Sequence, residues 1–210
     1  MRIDKALISA AAALVGIAAA WPAAAAGGFS GPYNPANWVT AISGSVNGGG
    51  NGSVNTAAAP ASITITGGDD PSDLSDLPGS GCTSSVSLLP GVAGPCQISF
   101  TIALTGPTTI SFNWAYASND ASPQYDQFGV IVDGVQTELV DNGGALVQSN
   151  AFTASANTTF GFFINCTDCE GGAASATISA LSAVPEPATL SLMSLGLAAG
   201  LGLRRRRPAA

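Results

Sequence analysis

The sequence contains no histidine, and only six of its 210 residues are basic. The basic residues are confined to the ends, as Arg2, Lys5 and Arg204 to Arg207, so residues 6–203 carry no positive side chain. These absences exclude histidine-based catalysis, histidine-ligated metal sites and the clustered positive surface that binds nucleic acid. Because no Lys or His remains between the ends to activate a nucleophile, we also expect no enzyme activity.

The N-terminus has the composition of a secretory signal peptide. Arg2 and Lys5 precede an apolar run over residues 6–20, and the small residues Ala24 and Ala26 then form an A-x-A cleavage site. We expect cleavage after Ala26. The alternative is a permanent membrane anchor, but a run of about 15 residues is short for a span, which needs about 20.

The C-terminus has three parts in a fixed order. Pro185, Glu186 and Pro187 come first, an apolar stretch follows over 188–203, and the four arginines Arg204, Arg205, Arg206 and Arg207 come next. Arginines directly after an apolar stretch keep the tail in the cytoplasm and the preceding domain outside. The pattern predicts a short C-terminal transmembrane helix on an exported protein.

This C-terminal arrangement resembles the PEP-CTERM sorting signal of Gram-negative bacteria. In that family the exosortase, a membrane protease-transpeptidase, is thought to recognise Pro-Glu-Pro, which here is Pro185-Glu186-Pro187. The resemblance implies processing by signal peptidase and exosortase and a transient stay in the inner membrane. The final location would be the cell surface or the extracellular space, where exopolysaccharide is made. The alternative is an ordinary tail anchor with a chance Pro-Glu-Pro.

Between the signal peptide (1–26) and the sorting segment (184–210), residues 27–183 are predicted to form one all-β domain. The segments 97–104 and 108–117 alternate apolar and polar residues and are joined by Gly106-Pro107, which predicts neighbouring antiparallel strands. Asp133-Gly134 predicts a type I′ hairpin turn. Further strands are expected at 38–43, 62–66, 128–132, 135–140, 146–152, 158–164 and 174–181. So many short strands predict a single antiparallel β-sandwich of jelly-roll type. Residues 44–59 are expected to be a long loop or a linker, and residues 69–95 are rich in Asp, Pro, Ser and Gly.

Four cysteines in an exported protein favour disulfides. Four cysteines allow three pairings, and the local one, Cys82 with Cys96 and Cys166 with Cys169, is the simplest. The Cys-Thr-Asp-Cys sequence also suits a redox pair, and all four thiols together suit zinc. A redox role is disfavoured because no helix N-terminus is expected there to lower a thiol pKa.

Two acidic regions are candidate binding sites. Asp69, Asp70, Asp73 and Asp76 lie close enough on one loop to supply oxygen ligands to Ca²⁺. The loop does not match an EF-hand, and a solvated acidic loop is the favoured interpretation. Asp120, Tyr125 and Asp126 follow a strand that carries Trp114 and could bind a sugar through a ring face and polar groups. Trp114 itself is expected in the core.

The sequence therefore supports two functional hypotheses. The first is an exported, exosortase-sorted β-sandwich that is a structural or adhesive component of the exopolysaccharide matrix. The second is a Ca²⁺-dependent or carbohydrate-binding module. No cofactor is expected apart from Ca²⁺ in the second hypothesis, and no nucleic acid in either.

Overall fold

Strands make up most of the part of the chain that the structure describes. The computed structural model describes residues 26–44, 50–69, 96–166, 169 and 171–186, which belong to one compact unit. Short 3₁₀ turns lie at Gly31–Tyr33, Pro35–Asn37 and Pro123–Tyr125. Within these ranges there is no helix of the length and hydropathy that a membrane crossing requires. The predicted C-terminal helix and the signal peptide up to residue 25 lie outside the described residues.

The strands form two antiparallel sheets that pack as a sandwich. In chain order they are β1 Ala26–Gly27, β2 Val39–Ile42, β3 Ser53–Asn55, β4 Ser62–Thr66, β5 Cys96–Ala103, β6 Thr108–Ala117, β7 Asp126–Val132, β8 Val135–Glu138, β9 Val147–Ala156, β10 Thr159–Cys166 and β11 Ser175–Pro185. The six-stranded sheet has the order β3-β4-β11-β6-β9, with β1 also paired to β11, and the five-stranded sheet has the order β2-β5-β10-β7-β8. From β4 onward, consecutive strands alternate between the sheets except at the β7–β8 hairpin. The predicted antiparallel β-sandwich is confirmed.

Alternation along β6 places its large side chains in the core, as predicted. Ile110, Phe112, Trp114 and Tyr116 are all at most 5% exposed. The hairpin turn is also confirmed, because Asp133 and Gly134 both have positive φ angles, of 51° and 83°, and join β7 directly to β8. These local patterns were sufficient because period-2 alternation and an Asp-Gly pair each fix the backbone within a few residues.

The predicted pairing of 97–104 with 108–117 is wrong. β5 lies in the five-stranded sheet between β2 and β10, whereas β6 lies in the six-stranded sheet between β11 and β9. The Gly106-Pro107 segment therefore crosses from one sheet to the other. Each strand has one apolar face to bury, and the two strands bury these faces by packing opposite each other across the core. The alternation pattern is the same whether two strands pack in this way or pair side by side.

Part of the predicted 44–59 loop is a strand. Ser53–Asn55 forms β3, which pairs with β4 at the edge of the six-stranded sheet. Its sequence has a single apolar residue, Val54, which is half-buried, so no alternation signalled a strand. Edge strands of this length depend on their partner for hydrogen bonds more than on their own apolar residues.

Aromatic rings join the two sheets in the core. Trp38, directly before β2, stacks on Phe100 and Phe162 of the five-stranded sheet, with ring centroids 4.9 and 5.7 Å away. Phe112 of the opposite sheet meets Phe162 edge-on at 5.0 Å. The indole nitrogen of Trp38 donates to the carbonyl oxygen of Tyr33 at 3.1 Å, so this buried ring has its polar atom satisfied.

Candidate functional site

The loop between β6 and β7 links two of the three predicted sugar-binding residues, Asp120 and Asp126, through a serine. Ser118 Oγ donates to Asp126 Oδ2 at 2.9 Å and accepts from the backbone nitrogen of Asp120 at 3.0 Å. Asp126 is only 1% exposed, whereas Asp120 and Tyr125 are half-buried. The Asp126 carboxylate is therefore an internal acceptor in this loop, and the ligand-binding role of the three residues stays a prediction.

A buried tyrosine is hydrogen-bonded to the first residue of β7. Tyr116 is 1% exposed, and its hydroxyl donates to the backbone carbonyl oxygen of Asp126 at 2.8 Å. Burial raises the pKa of the Tyr116 phenol above its ordinary range, so the hydroxyl stays protonated and available as a donor. The contact fixes where the loop ends and the strand begins.

A disulfide closes the neighbouring loop at the same end of the sandwich. Cys166 ends β10 in register with Asp126 of β7, and it is bonded to Cys169, with the two Cα atoms 4.8 Å apart. One of the predicted disulfides is thus confirmed. Cys96 of β5, also in register with Cys166, is disulfide-bonded too; Cys82, its predicted partner, lies outside the described residues. We call residues 118–126 together with the described residues 166, 169, 171 and 172 the disulfide end.

Two glycines let the loops of the disulfide end pack closely. Gly171 and Gly172 have φ angles of +75° and +103°, and a Cβ atom at Gly171 would lie 3.0 Å from Asp120 Oδ1. A side chain there would be strained in its backbone conformation and would also press on the aspartate.

The acidic loop predicted to bind Ca²⁺ is described only at its first residue. Asp69 exchanges two hydrogen bonds with the Asn51 side chain, through its backbone nitrogen at 2.8 Å and its carbonyl oxygen at 2.7 Å. Asp70, Asp73 and Asp76 lie outside the described residues. Over the residues that the structure does describe, no three potential ligands among His, Cys, Asp and Glu are grouped for a metal ion.

The start of the Pro-Glu-Pro sequence belongs to the sandwich. Pro185 is the last residue of β11 and pairs with Thr108 of β6, and the backbone nitrogen of Glu186 donates to the carbonyl oxygen of Pro107 at 2.8 Å. Ala26, at the predicted signal-cleavage site, pairs with Ala183 of the same strand. Ala24, Pro187 and the four arginines lie outside the described residues.

The outer face of the five-stranded sheet carries a group of amide side chains that the sequence analysis did not single out. Gln97, Asn165 and Gln127 lie side by side in register on β5, β10 and β7. Their neighbours in sequence, such as Ile98, Ile164 and Phe128, point into the core, so these amides point outward. The alternation of apolar and polar residues along each strand identifies the outward positions as well as the buried ones. The amide residues at those outward positions were the sequence signal for this group.

This outer face is concave. The side-chain nitrogen of Gln136 on β8 donates to the side-chain oxygen of Gln97 on β5 at 3.0 Å, although β10 and β7 lie between their strands. Three strand intervals span about 14 Å in a flat sheet. The two side chains meet only because the sheet curves inward beneath them.

The floor of the concave face is apolar and close-packed. The Phe163 ring of β10 lies over Gly129 of β7, where a Cβ atom would come within 2.6 Å of the ring. Phe163 is 3% exposed and lies apart from the main core cluster. Glu138 stands beside Gly129 on β8, and partial burial raises the pKa of its carboxyl group, an effect that a hydrogen bond from the Asn142 side chain opposes.

Asn165 is the polar residue at the base of this face. It is 7% exposed, and its side-chain oxygen has no hydrogen-bond partner. Leaving a buried acceptor unpaired costs about 1–3 kcal/mol. Asn165 is the penultimate residue of β10, the central strand of this sheet, and an unpaired buried amide there requires an explanation.

Comparison with known proteins identifies the C-terminal segment. Residues 183–207 match the family model described as the PEP-CTERM protein-sorting motif. The chain therefore carries this motif, which implies an exported, cell-surface protein that is sorted by exosortase. Comparison with curated proteins gives no match.

The solved structures to which the chain is similar include the following three. The K1 cleaved adhesin domain of Lys-gingipain from Porphyromonas gingivalis is 11% identical, with a TM-score of 0.38, covering 78% of this chain and 99% of that one. The family 11 carbohydrate-binding module of a Clostridium thermocellum cellulosomal cellulase is 7% identical, with a TM-score of 0.35 and coverages of 71% and 88%. The N-terminal cellulose-binding domain of Cellulomonas fimi β-1,4-glucanase C is 11% identical, with a TM-score of 0.28 and coverages of 69% and 95%.

Proposed function

We propose that this protein is a structural or adhesive component of the extracellular polysaccharide matrix, delivered there by exosortase sorting. The observation that carries the proposal is the sorting motif and its position. The matched residues 183–207 begin inside β11, whose last residue is Pro185, so the β-sandwich itself is the part that the sorting reaction delivers. Its final site is then the cell surface or the surrounding matrix.

The charge of the delivered domain supports a neutral or cationic partner. Of the 13 acidic residues, Asp4 and Glu186 lie outside residues 27–183, which leaves eleven acidic and no basic residues in that range. Such a domain repels anionic polymers and lipid surfaces. Uncharged polysaccharide, which offers hydroxyl groups and no charge, is compatible with it.

We assign no catalytic reaction to the domain. The chain has no histidine, and no lysine or arginine lies within 27–183 to activate a nucleophile or stabilise a developing negative charge. A role in holding other components together requires surface complementarity alone.

Carbohydrate binding as a module is the second candidate, and the amide side chains of the concave outer face favour it. The two candidates differ in where the protein is found. A carbohydrate-binding module binds an isolated glycan, whereas a matrix component also remains with the polysaccharide in the native matrix. The Ca²⁺-dependent form of this candidate depends on Asp69, Asp70, Asp73 and Asp76 and is tested by adding EDTA to the binding assay.

The test of the leading proposal uses the native host. Pro185-Glu186-Pro187 is replaced by three alanines, and the protein is followed by immunoblotting and mass spectrometry of membrane, matrix and medium fractions. We expect the wild-type protein in the matrix fraction without residues 188–210, and the triple variant as a longer chain in the membrane. Identical distribution of the two proteins would contradict sorting through this motif, and recovery of the wild type solely from the medium would contradict a matrix role.

A further inference from the structure

We infer that the concave outer face of the five-stranded sheet is a binding site for an uncharged polysaccharide, with Gln97, Gln136 and Asn165 as its hydrogen-bonding residues. This inference rests on the proposed matrix function and gives it a location. The site lies on the outer face of the sheet and adjoins the disulfide end, since Gln97 and Asn165 are next in sequence to Cys96 and Cys166; the sequence pattern had pointed to the loop residues of that end for sugar binding.

The shape of the face suits a chain-like ligand. The contact between Gln97 and Gln136 shows that β5 and β8 rise on either side of β10 and β7. The floor between them is smooth because Gly161 and Gly129 lack side chains at positions where a Cβ atom would meet Thr101 or Phe163. The Gln97–Gln136 contact lies across this floor, where Phe163 is 3% and Asn165 is 7% exposed, so a polymer chain reaches the trough once that contact opens.

The chemistry of the face selects an uncharged, hydroxyl-rich ligand. An amide side chain both donates and accepts hydrogen bonds, as a sugar hydroxyl does. No described residue of the domain carries a positive charge, and Glu138 on the rim is acidic, so a polyanion gains no ion pair and meets repulsion. An uncharged polysaccharide satisfies the amides without an electrostatic cost.

Asn165 supplies the observation that points to a ligand. Its side-chain oxygen is buried without a partner, between Gln97 and Gln127 in the register of the sheet. The Gln97–Gln136 hydrogen bond above the floor is exposed to solvent. A sugar hydroxyl group can replace the Gln97–Gln136 hydrogen bond at little net cost in free energy, because an exposed hydrogen bond between amides exchanges readily for one to another polar group.

The test measures binding of the exported protein, purified from whichever host fraction contains it, by affinity electrophoresis. The gels contain hydroxyethyl cellulose, mixed-linkage β-glucan, galactomannan or the neutral fraction of the host's own exopolysaccharide, with alginate as the anionic comparison. We expect at least one neutral polymer to retard the wild type and alginate to have no effect. Absence of retardation by every neutral polymer, or equal retardation by alginate, would overturn the inference.

Single variants then locate the site. Gln97→Ala and Gln136→Ala are each expected to weaken binding about three- to tenfold. Gln124→Ala, an exposed glutamine in the turn before β7, is the matched control and is expected to bind as the wild type does. Loss of binding in Gln124→Ala with none in Gln97→Ala would move the site to the disulfide end and overturn the assignment.

Asn165→Leu separates binding from folding. Because leucine removes an unpaired buried oxygen, we expect the melting temperature to stay the same or rise while polysaccharide binding falls at least as far as in Gln97→Ala. A lowered melting temperature with unchanged binding would show that Asn165 has a structural role and would contradict the inference.

Failure of the site and failure of the proposed function give different results. If the wild type remains in the host matrix and the three face variants remain there equally, the matrix role stands and the concave face is not its site. If the wild type does not remain in the matrix but binds a purified neutral polymer through these residues, the site stands and the matrix role fails.

Discussion

Asp133 is a turn residue whose carboxylate also holds a second turn. It accepts hydrogen bonds from the backbone nitrogens of Asn157, Thr158 and Thr159, at 2.7 to 3.2 Å, and from the side chains of Asn157 and Thr158. These hydrogen bonds lower the pKa of the Asp133 carboxyl well below its ordinary value, and the one from the backbone nitrogen of Thr158 contributes most to the lowering. One side chain thus links the β7–β8 turn to the β9–β10 turn.

We predict that Asp133→Asn lowers the melting temperature at neutral pH. The folded state favours the ionised carboxylate, so its stabilising effect is present above the ordinary Asp pKa and is lost as the pH falls toward the lowered pKa of the folded state. Asparagine keeps the preference for a positive φ and loses the charge. Thermal melts from pH 7 down to pH 2 should show the two proteins converging in acid, and a difference that is constant with pH would contradict this role.

Glu138 is expected to show the opposite pH dependence. Its pKa is raised by partial burial, so the folded state disfavours the charged form and loses stability as the pH rises through the ordinary and then the raised pKa. We predict that Glu138→Gln raises the melting temperature at pH 7 and leaves it unchanged at pH 3, where the wild-type side chain is protonated. A destabilised variant at pH 7 would show that the carboxylate makes a net favourable interaction.

At the scale of elements, β11 contains a bulge at an unfavourable residue. Its pairing with β6 shifts between Ser179 and Ser182, and Ala180 in this interval has a φ angle of +50° and is exposed. An L-residue in this region of backbone space costs roughly 1–2 kcal/mol. The strand accepts the cost because the bulge allows both of its halves to pair with β6.

We predict opposite effects for two alanine-to-glycine substitutions. Ala180→Gly removes the left-handed strain and loses about 0.5–1 kcal/mol of chain entropy, so it should leave stability unchanged or raise it by up to about 1 kcal/mol. Ala151→Gly, in the exposed and regular part of β9, should lower stability by about 0.5–1 kcal/mol. Urea denaturation measures both, and equal losses in the two variants would contradict strain at Ala180.

Most of the strands could be predicted from the sequence, but their assignment to sheets could not. The stripe Ile110, Phe112, Trp114 and Tyr116 fixed both the extent and the buried face of β6, because alternation is a property of one strand. Whether β5 lies beside β6 or opposite it depends on all the strands competing for partners. β3 had no apolar pattern at all and exists because β4 offers a free edge.

The candidate site was harder to predict for the same reason. Asp120, Tyr125 and Asp126 are close in sequence and were easily noticed, whereas Gln97, Gln136 and Asn165 come from three strands that only the sheet order brings together. Single amides in strands give no motif. Their common face and the curvature beneath them are properties of the folded sheet.

At the scale of the whole molecule, the two targeting segments adjoin the same strand. Ala26, at the predicted signal-peptide boundary, pairs with Ala183 of β11, and the Pro-Glu-Pro sequence begins two residues later within that strand. Both ends of the exported domain are therefore built into the six-stranded sheet, opposite the layer that carries the concave face. Attachment at these ends therefore involves the sheet that does not carry the concave face.

The pairing of Pro185 and Glu186 with the β6 side of the sheet also bears on processing. A protease acts on segments in proportion to the time they spend unpaired. In the folded domain, Pro185 pairs with Thr108 and Glu186 is hydrogen-bonded to Pro107. An enzyme that reads Pro-Glu-Pro after folding must therefore wait for the end of β11 to separate from β6.

We predict that insertion of Gly-Ser-Gly-Ser between Ala183 and Val184 accelerates processing in the native host. The inserted residues replace Val184 and Pro185 as the partners of Thr109 and Thr108, so the Pro-Glu-Pro sequence is no longer paired with β6. Pulse-chase labelling measures the half-life of the precursor, which should be shorter than in the wild type.

The same insertion between Gly143 and Gly144, in an exposed turn, is the control and should leave the half-life unchanged. Equal half-lives in all three proteins would mean that the sorting enzyme acts before β11 has paired, and the closing of the sheet would then follow processing.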